Sequence, residues 1–288
     1  MSSPPDLGEA LGAAVAGARM VGGGSINDAW RVELESGVVA FVKSRDGAAA
    51  AEFEAEAAGL RWLAEAGAPA PRVLAAGAEP AWLALEWIEP GALSPAGAER
   101  LGRDLAELHR AGAAAPGALP PGSPDRTLRI GSVELELSER DAWPEAYAAD
   151  LVGPLAARAR DAGSLGPGDA SAVLAACERL DDLAGPVEPP ARLHGDLWSG
   201  NVLGTAAGGG VLIDPAAYGG HREVDLAMLR LFGAPSERIF AAYEEAHPLA
   251  PGAAERVALW QLLPLLVHAV LFGGSYGRAA GEAARRYA

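Results

Sequence analysis

Apolar and polar positions alternate near the start of the chain and then change to a helical spacing. Residues 18–45 contain two alternating runs, DAWRVELE and VVAFVKSR, which predict two strands on either side of a turn, preceded by the glycine-rich stretch GGGSIN. Residues 48–67 have helical spacing and end at Gly67. Their apolar positions fall on one face: Phe53, Ala57, Leu60 and Leu63. The runs RVLAAGAE and AWLALEWIE return to strand spacing, so the pattern predicts a small sheet with one helix.

Beyond residues 89–91 the pattern is largely helical. Ser94 is a predicted N-cap with Pro95 at the first helical position, and the Pro/Gly-rich run 115–124 is predicted to be a surface loop. The late apolar run VALWQLLPLLVHAVLFGG contains Gln, Pro and His and is short for a bilayer span, which favours a buried helix. We therefore predict two lobes, residues 1–88 and 89–288, with a ligand cleft between them.

Composition narrows the class of protein. The chain has 288 residues, 50% of them hydrophobic, and a net charge of −15 without a long basic run. This argues against nucleic acid or an anionic membrane as the main partner. Cys177 is the one cysteine, so no intramolecular disulfide is possible, and the N-terminal residues lack the pattern of a signal peptide. A cytoplasmic, soluble protein is expected.

The stretch LHGDLWSGNVL places Asp196 five residues before Asn201, and the apolar run VLID ends at Asp214. Phosphoryl-transfer enzymes use an aspartate to accept the proton of the acceptor hydroxyl, and an asparagine and a second aspartate to hold magnesium. Taken singly, Asp196 also fits a helix cap and Asp214 a turn residue before Pro215. The ordered combination of these residues favours phosphoryl transfer.

The chain has 23 Lys and Arg residues in total. Lys43 is the only lysine among them, and all the others are arginine. A single lysine retained in such a composition indicates a site that needs a compact ammonium group, as a phosphate-binding lysine does, although a surface lysine at a strand end is the alternative. A carboxylate from the following helix would hold it. Glu52, Glu54 and Glu56 are candidates, and Glu56 has the best spacing for the inner face of the helix.

Gly22, Gly23, Gly24 and Ser25 lie between the first strands, where bare backbone N–H groups can approach phosphates. The sequence does not follow the G-x-G-x-x-G pattern. Other classes of site have less support, because neither zinc-ligand spacing nor a G-x-S-x-G elbow is present.

These motifs resemble the fructosamine kinase (ketosamine-3-kinase) family of protein-kinase-like small-molecule phosphotransferases. The resemblance runs along nearly the whole chain, through GGGSINDAWRVEL, FVK, FEAEAAGLRWL, LALEWIE, LHGDLWSGNVL, LIDPAAYGGHREVDLAML and LLPLLVHAVLFGGSYG. The H-G-D-x4-N core is also found in aminoglycoside and choline kinases. The Trp and Ser within it, the YGGHREVDLA run and the LVHAVLFGGSY run are more particular to fructosamine kinases.

The resemblance implies an α+β, protein-kinase-like fold with a small antiparallel N-terminal sheet and a larger helical C-terminal lobe. It also implies ATP with Mg2+ and transfer of the γ-phosphate to the 3-hydroxyl of a ketosamine, free or protein-bound, in the repair of glycated amines. On matching positions, Asp196 is expected to be the base, Asn201 and Asp214 the metal ligands, and Lys43 with Glu56 the phosphate clamp. The remaining expected contacts are the adenine hinge, at Glu86, Trp87 and Ile88, and the substrate contacts, at Trp198, His221, Arg222 and Glu223.

Two departures from the family pattern affect these expectations. Ser25 stands where many members carry a cysteine, which makes a loop disulfide unexpected and favours a monomer. The segment IGSVELELSERDAWPEAY keeps the Ile-Gly and the Trp of the family but departs from the family sequence between them, which leaves the preferred ketosamine open. The alternatives are a kinase for an aminoglycoside or choline and a catalytically silent nucleotide-binding relative.

Overall fold

The structure, a computed structural model, describes residues 7–22 and 27–287. Its strands are β1 (Val15–Met20), β2 (Asp28–Leu34), β3 (Val39–Ser44), β4 (Val73–Ala78), β5 (Ala81–Glu86), β6 (Thr127–Ile130), β7 (Val133–Glu136), β8 (Ala191–Leu193), β9 (Val202–Gly204), β10 (Gly210–Leu212) and β11 (Tyr218–Gly220). Its α-helices are α1 (Gly8–Leu11), α2 (Ala50–Glu65), α3 (Pro95–Ala111), α4 (Trp143–Ala146), α5 (Gly153–Asp161), α6 (Pro167–Glu178), α7 (Leu180–Leu183), α8 (Glu223–Leu231), α9 (Glu237–Ala246), α10 (Ala253–Trp260), α11 (Leu262–Phe272) and α12 (Tyr276–Ala284). A π-helical segment, Tyr147–Val152, joins α4 to α5.

The N-terminal sheet has the order β1-β2-β3-β5-β4, and all its neighbouring strands are antiparallel. Helix α2 lies between β3 and β4 in the chain and packs on the sheet through the predicted face, with Phe53 and Leu60 against Leu83. Lys43 is on the central strand β3, paired with Ala29 on one side and Leu83 on the other. The predicted sheet with one helix is therefore confirmed.

The larger, helical part follows a short connection after β5. Helix α3 begins as predicted, because the Ser94 hydroxyl accepts a 3.0 Å hydrogen bond from the Gly97 N–H and Pro95 is the first helical residue. The predicted lobe boundary near residue 89 falls between β5 and α3 and stays a prediction.

The late apolar run forms two helices, α10 and α11, with a break at Gln261 rather than one helix. The Tyr147 hydroxyl donates to the Leu259 carbonyl and accepts from the Leu263 N–H, so one buried side chain serves both ends of the break. Among the described residues, 253–272 is the one stretch long and apolar enough to cross a membrane by length and composition, and 61% of its most apolar window is buried.

Three two-stranded ladders lie in the part of the chain after β5: β6 with β7, β8 with β11, and β9 with β10. Strand β8 leads into the HGD sequence, and β10 leads into Asp214. Part of the run 115–124, predicted to be a surface loop, is buried instead, because the Gly219 N–H and carbonyl bond to Ala118 and Gly117. This pairing with β11 spans about a third of the chain, so it leaves no local signal in the sequence.

Candidate active site

A cavity of about 690 Å³ lies between the N-terminal sheet and the helical part. Most of the predicted site residues line it together: Gly22, Lys43, Glu56, Glu86, Trp87, Ile88, Asp196, Trp198, Asn201 and Asp214. They come from positions up to 192 residues apart in the sequence, between Gly22 and Asp214. Gly23, Gly24 and Ser25 lie outside the described residues.

Lys43 is buried between two carboxylates. Its Nζ lies 2.5 Å from Glu56 Oε2 and 2.7 Å from Asp214 Oδ1. Burial opposes the charge on Lys43, but the two carboxylates, Glu56 foremost, hold its pKa above the usual value. Strand β3, helix α2 and the segment after β10 thus meet at one ammonium group, which is positioned to bind anionic oxygens in the cleft.

Of the three candidate glutamates on α2, only Glu56 pairs with Lys43. Glu52 instead bonds to Arg45 and to the backbone N–H of Ala49. Glu54 is exposed. The preference for Glu56 rested on its position on the inner face of α2, and the structure places its carboxylate there.

Asp196 lies in a loop held at several points. The two oxygens of the buried Asp225 carboxylate accept hydrogen bonds from the N–H groups of His194, at 2.7 Å, and Gly195, at 2.9 Å. Gly195 has φ +83°, and a Cβ there would lie 1.8 Å from the Ala216 carbonyl oxygen. The loop therefore requires glycine next to Asp196.

His194 connects this loop to the segment before Asp214. Its Nε2 donates to the Ile213 carbonyl at 3.0 Å, and its Nδ1 accepts from the Asp196 N–H at 3.3 Å, as a neutral ring protonated on Nε2 does. Burial lowers the pKa of His194, which favours this neutral form. The side chain therefore positions two acidic residues and is not a metal ligand here.

Asn201 fixes the Asp196 side chain. Its Nδ2 donates to the Asp196 carbonyl at 2.8 Å and to Asp196 Oδ2 at 3.0 Å. Burial raises the pKa of Asp196 to about 6, Asn201 opposes this shift, and the nearby charge of Asp214 adds to it. A carboxylate with a pKa close to neutrality is suited to accept a proton from a hydroxyl.

Asp214 has φ +52° and is the only non-glycine residue with positive φ in residues 7–22 and 27–287. Such a conformation is uncommon for a residue other than glycine, and it is found at functional sites where the surrounding structure compensates for its cost. Here β10 ends just before it, and the Ile213 N–H donates to the Asn201 carbonyl at 3.1 Å. These contacts hold Asp214 beside Lys43 in the strained conformation.

The last residue of β5 and the two residues after it also line the cavity. The Glu86 carboxylate is bonded to the N–H and Nε of Arg72, at 3.0 and 2.8 Å, and the Trp87 N–H donates to the Val39 carbonyl at 3.2 Å. The Ile88 N–H has no hydrogen-bond partner among the described residues. Ile88 is therefore the member of this trio with a backbone donor free for a ligand.

The structure does not bring His221, Arg222 and Glu223 to the cavity. Arg222 makes a bidentate ion pair with Glu188, at 2.6 and 2.7 Å. Glu223 accepts hydrogen bonds from Arg256, at 2.5 and 2.9 Å, and from Trp260 Nε1, at 2.8 Å.

His221 is stacked on the Trp260 ring, at 5.2 Å between centroids. Its Nδ1 accepts a 3.3 Å hydrogen bond from the Glu223 N–H, and its Nε2 lies 3.8 Å from Glu188 Oε2. The side chains of all three residues are buried. Their closeness in sequence to Asp214 suggested substrate contact, but β11 carries the chain away from the cavity before residue 221. The geometry gives them a structural role.

Another wall of the cavity was marked by sequence reasoning only at its end, where Ile130 and Gly131 begin the segment IGSVELELSERDAWPEAY. It is formed by the run 119–131, including the β6–β7 turn, and contributes Leu119, Ser123, Thr127, Arg129 and Gly131. The Arg129 guanidinium is paired with Asp125, at 2.6 Å, and with Glu134, at 3.2 Å. No motif marks the rest of this wall, since it is built from the contact of a hairpin with a loop.

Comparison with known proteins agrees with this arrangement. The sequence model described as fructosamine kinase matches residues 6–287. A probable ketoamine kinase of Synechocystis is 34% identical, with 92% of this chain and 88% of that protein covered. A chloroplastic protein-ribulosamine 3-kinase of Oryza sativa is 32% identical over 95% of this chain and 79% of its own.

The crystal structure of a putative fructosamine-3-kinase from Thermobifida fusca superposes with a TM-score of 0.89 at 44% identity, covering 98% of this chain and 96% of that one. The expected α+β, protein-kinase-like fold is confirmed by this neighbour. The chain belongs to the fructosamine kinase family and is a phosphotransferase with an alcohol group as its acceptor.

Proposed function

We propose that the protein is an ATP- and magnesium-dependent kinase that transfers the γ-phosphate to the 3-hydroxyl of a ketosamine, in the repair of glycated amines. One observation carries this proposal. Asp196, with a pKa near 6, and the Glu56–Lys43–Asp214 ion pairs line the same cavity. A proton acceptor and a phosphate-binding cation in one cleft are the two parts that this reaction asks of a protein.

The nucleotide is proposed to lie along the sheet side of the cavity. The free Ile88 N–H can donate to a ring nitrogen of adenine, and Lys43 can bind phosphate oxygens while its other contacts stay with Glu56 and Asp214. Gly22, at the end of β1, lines the same side and offers close backbone approach. Glu86 and Trp87 offer no free N–H group to the nucleotide, because both N–H groups are bonded to other main-chain carbonyls.

The residues present fit a magnesium ion. Nδ2 is the only atom of the Asn201 amide that is hydrogen-bonded, so its Oδ1 is available as a ligand, and half of the Asp214 side chain is exposed to the cavity. Magnesium prefers such oxygen ligands, few from the protein and the rest from phosphate and water. No cluster of three or more His, Cys, Asp or Glu suited to a metal exists in the described part of the chain, so the ion would depend on the nucleotide. Bound magnesium would neutralise charge on the phosphate oxygens.

The acceptor hydroxyl is proposed to bind within hydrogen-bond distance of Asp196, which then accepts its proton as the hydroxyl oxygen attacks the γ-phosphorus. The bond from this phosphorus to the β–γ bridging oxygen breaks in the same step, and ADP leaves. Asn201 keeps the carboxylate in place through its Nδ2, and Asp225 keeps the loop in place through two backbone N–H groups. Trp198 lines the cavity with 39% of its surface exposed, which leaves a ring face available to a sugar. The intact set of polar contacts disfavours a catalytically silent relative.

The ketosamine as acceptor is supported by the names of the relatives, which are ketoamine and ribulosamine kinases. Phosphorylation of such a sugar destabilises its bond to the amine, which is the basis of the repair role. We further propose that the protein acts as a monomer in the cytoplasm, in keeping with its single cysteine and its acidic surface.

The test is turnover of magnesium-ATP with ribulosyl-lysine, fructosyl-lysine, an aminoglycoside and choline, with the phosphorylated position read by NMR. We expect a 3-phosphate on at least one ketosamine and none on the other two acceptors. Asp196→Asn should abolish the product, and Asp181→Asn, an exposed aspartate on α7, is the matched control. Turnover of only the aminoglycoside or choline would overturn the ketosamine proposal in favour of that second class of kinase.

A further inference from the structure

The exposed aromatic side chains of the protein are gathered in one place. Within residues 7–22 and 27–287, the exposed Trp, Phe and Tyr side chains are Trp198, Phe232 and Phe272, at 39%, 36% and 67%. Together with His268 and Tyr276 they form a continuous row, which we call the aromatic ridge. Large exposed aromatic side chains grouped in this way indicate a binding surface.

Each ring of the ridge contacts the next. The centroids of Trp198 and Phe232 are 6.5 Å apart, those of Phe232 and His268 are 4.8 Å apart, and those of His268 and Phe272 are 5.5 Å apart. Tyr276 supports the far end, 5.1 Å from His268. The rings come from the loop after β8, the end of α8, and helices α11 and α12, so the ridge depends on the tertiary fold.

The ridge begins at the candidate active site. Trp198 lines the main cavity together with Asp196. His268 lines a small adjoining cavity that Asp196 and Gly195 also line. From these two contacts the ridge extends to Phe272, where exposure is greatest, so it leads from the proposed base to solvent.

The chemistry of a ketosamine requires a path of this kind. Its amine nitrogen is bonded to C1, and only C1, C2 and C3 separate that nitrogen from the 3-hydroxyl oxygen. If the hydroxyl lies at Asp196, the nitrogen lies close to Trp198, and whatever group the nitrogen carries must leave the cleft from there. The protonated amine is a cation, and aromatic faces attract cations and apolar groups alike.

We propose that the aromatic ridge binds the amine-borne group of the acceptor and makes the enzyme selective for ketosamines whose amine carries an extended apolar or aromatic substituent, such as a peptide. This inference rests on the proposed function and specifies the acceptor further. The run 119–131 is a poorer candidate for such a group, because it brings apolar Leu119, Leu128 and Ile130 to the cavity but no aromatic ring.

The test compares two ketosamines that carry the same sugar. This sugar is the one that gives the highest turnover in the panel of acceptors described above. One is made from ethylamine and the other from the ε-amine of an acetyl-lysyl-phenylalanine amide. The wild type should have the higher kcat/KM for the peptide acceptor. In Phe272→Ala the ratio of the two kcat/KM values should fall about threefold to tenfold, as expected for one lost aromatic contact.

Phe272→Tyr, which keeps a ring, and Leu174→Ala, which truncates an exposed side chain on α6, are matched controls and should keep the wild-type ratio. If Phe272→Ala phosphorylates both acceptors and its ratio of the two kcat/KM values equals that of the wild type, the ridge is not a subsite, and the proposed function stays intact. If neither acceptor is phosphorylated by the wild type, the proposed function and the ridge as a subsite are both overturned. Sedimentation of the wild type and of Phe272→Ala tests for a different occupant, a second copy of the chain. If the wild type is a dimer, the substitution dissociates it and the ratio of kcat/KM values is unchanged, another copy of the chain covers the ridge.

Discussion

The guanidinium of Arg192 donates a 2.6 Å hydrogen bond to the main-chain carbonyl of Trp62 and lies 4.6 Å from the centroid of the Trp62 ring. Trp62 is in the last turn of α2, where carbonyl groups lack a partner within the helix. A cation at this end also interacts favourably with the helix dipole. Arg192 is on β8, two residues before His194, so it connects the loop of the proposed base to the helix that carries Glu56.

We expect Arg192→Met to loosen α2 and so weaken the Glu56–Lys43 pair, because methionine keeps an apolar stem over Trp62 but donates no hydrogen bond. KM for magnesium-ATP should rise several-fold while KM for the acceptor stays near wild type, and the free energy of unfolding should fall by about 1.5–3 kcal/mol. Steady-state kinetics with each substrate varied, together with urea denaturation, measure both. Arg192→Lys, which keeps one donor, should recover part of the loss. Lower stability with both KM values unchanged would mean that Arg192 only stabilises the fold.

Lys43→Arg should lower kcat/KM by about 10²-fold or more, because the planar guanidinium cannot occupy the 2.5 and 2.7 Å positions between Glu56 and Asp214 and still reach a phosphate. Initial rates at saturating acceptor and varied magnesium-ATP measure this. Arg100→Lys, an exposed exchange between the same two residue types on α3, is the control. A Lys43→Arg enzyme with wild-type activity would contradict the phosphate-binding role.

Sequence patterns were sufficient where a residue's role depends on its own element. The face of α2 from Phe53 to Leu63 and the Ser94 cap are local, and each was predicted from spacing alone. The grouping of Lys43, Glu56, Asp196 and Asp214 was predicted because their residue types and order fit one reaction, although no sequence distance implies their contact.

Prediction failed where long-range packing decides. His221, Arg222 and Glu223 were expected at the substrate, but buried partners at positions 188, 256 and 260 hold them elsewhere. The Arg192–Trp62 contact and half of the aromatic ridge escaped notice for the same reason, because they join residues far apart in the chain. Within the ridge, His268, Phe272 and Tyr276 do follow one another at four-residue spacing, but this spacing does not reveal that Trp198 and Phe232 continue their row.

The pH dependence of activity should report the ionisation of Asp196. Because burial raises the pKa of this carboxyl to about 6, the ionised base is lost on acidification, and kcat/KM for the acceptor should fall about tenfold per pH unit below 6 and level off above it. Rates between pH 4.5 and 8 measure this, with circular dichroism at each pH to show that the fold is retained. A profile that stays level down to pH 4.5 would contradict the role of Asp196 as the titrating base.

Asp196→Asn should make the protein more stable at neutral pH, although it removes activity. The folded-state pKa of about 6 lies above the ordinary aspartate pKa of 3.8, so the folded state binds the proton more tightly than the unfolded state. The carboxyl therefore stabilises the fold fully below pH 3.8, and this contribution is lost as pH rises to 6.

An asparagine is neutral at every pH and its Oδ1 can still accept the hydrogen bond from Asn201, so it avoids that loss. We expect the variant to exceed the wild type by about 1–3 kcal/mol in free energy of unfolding at pH 7.5 and by much less at pH 4. Urea denaturation at both pH values measures the difference, with Asp181→Asn as the exposed control. A variant less stable than the wild type at pH 7.5 would mean that contacts of the carboxylate outweigh its burial. The expected result identifies Asp196 as a residue kept for chemistry at the expense of stability.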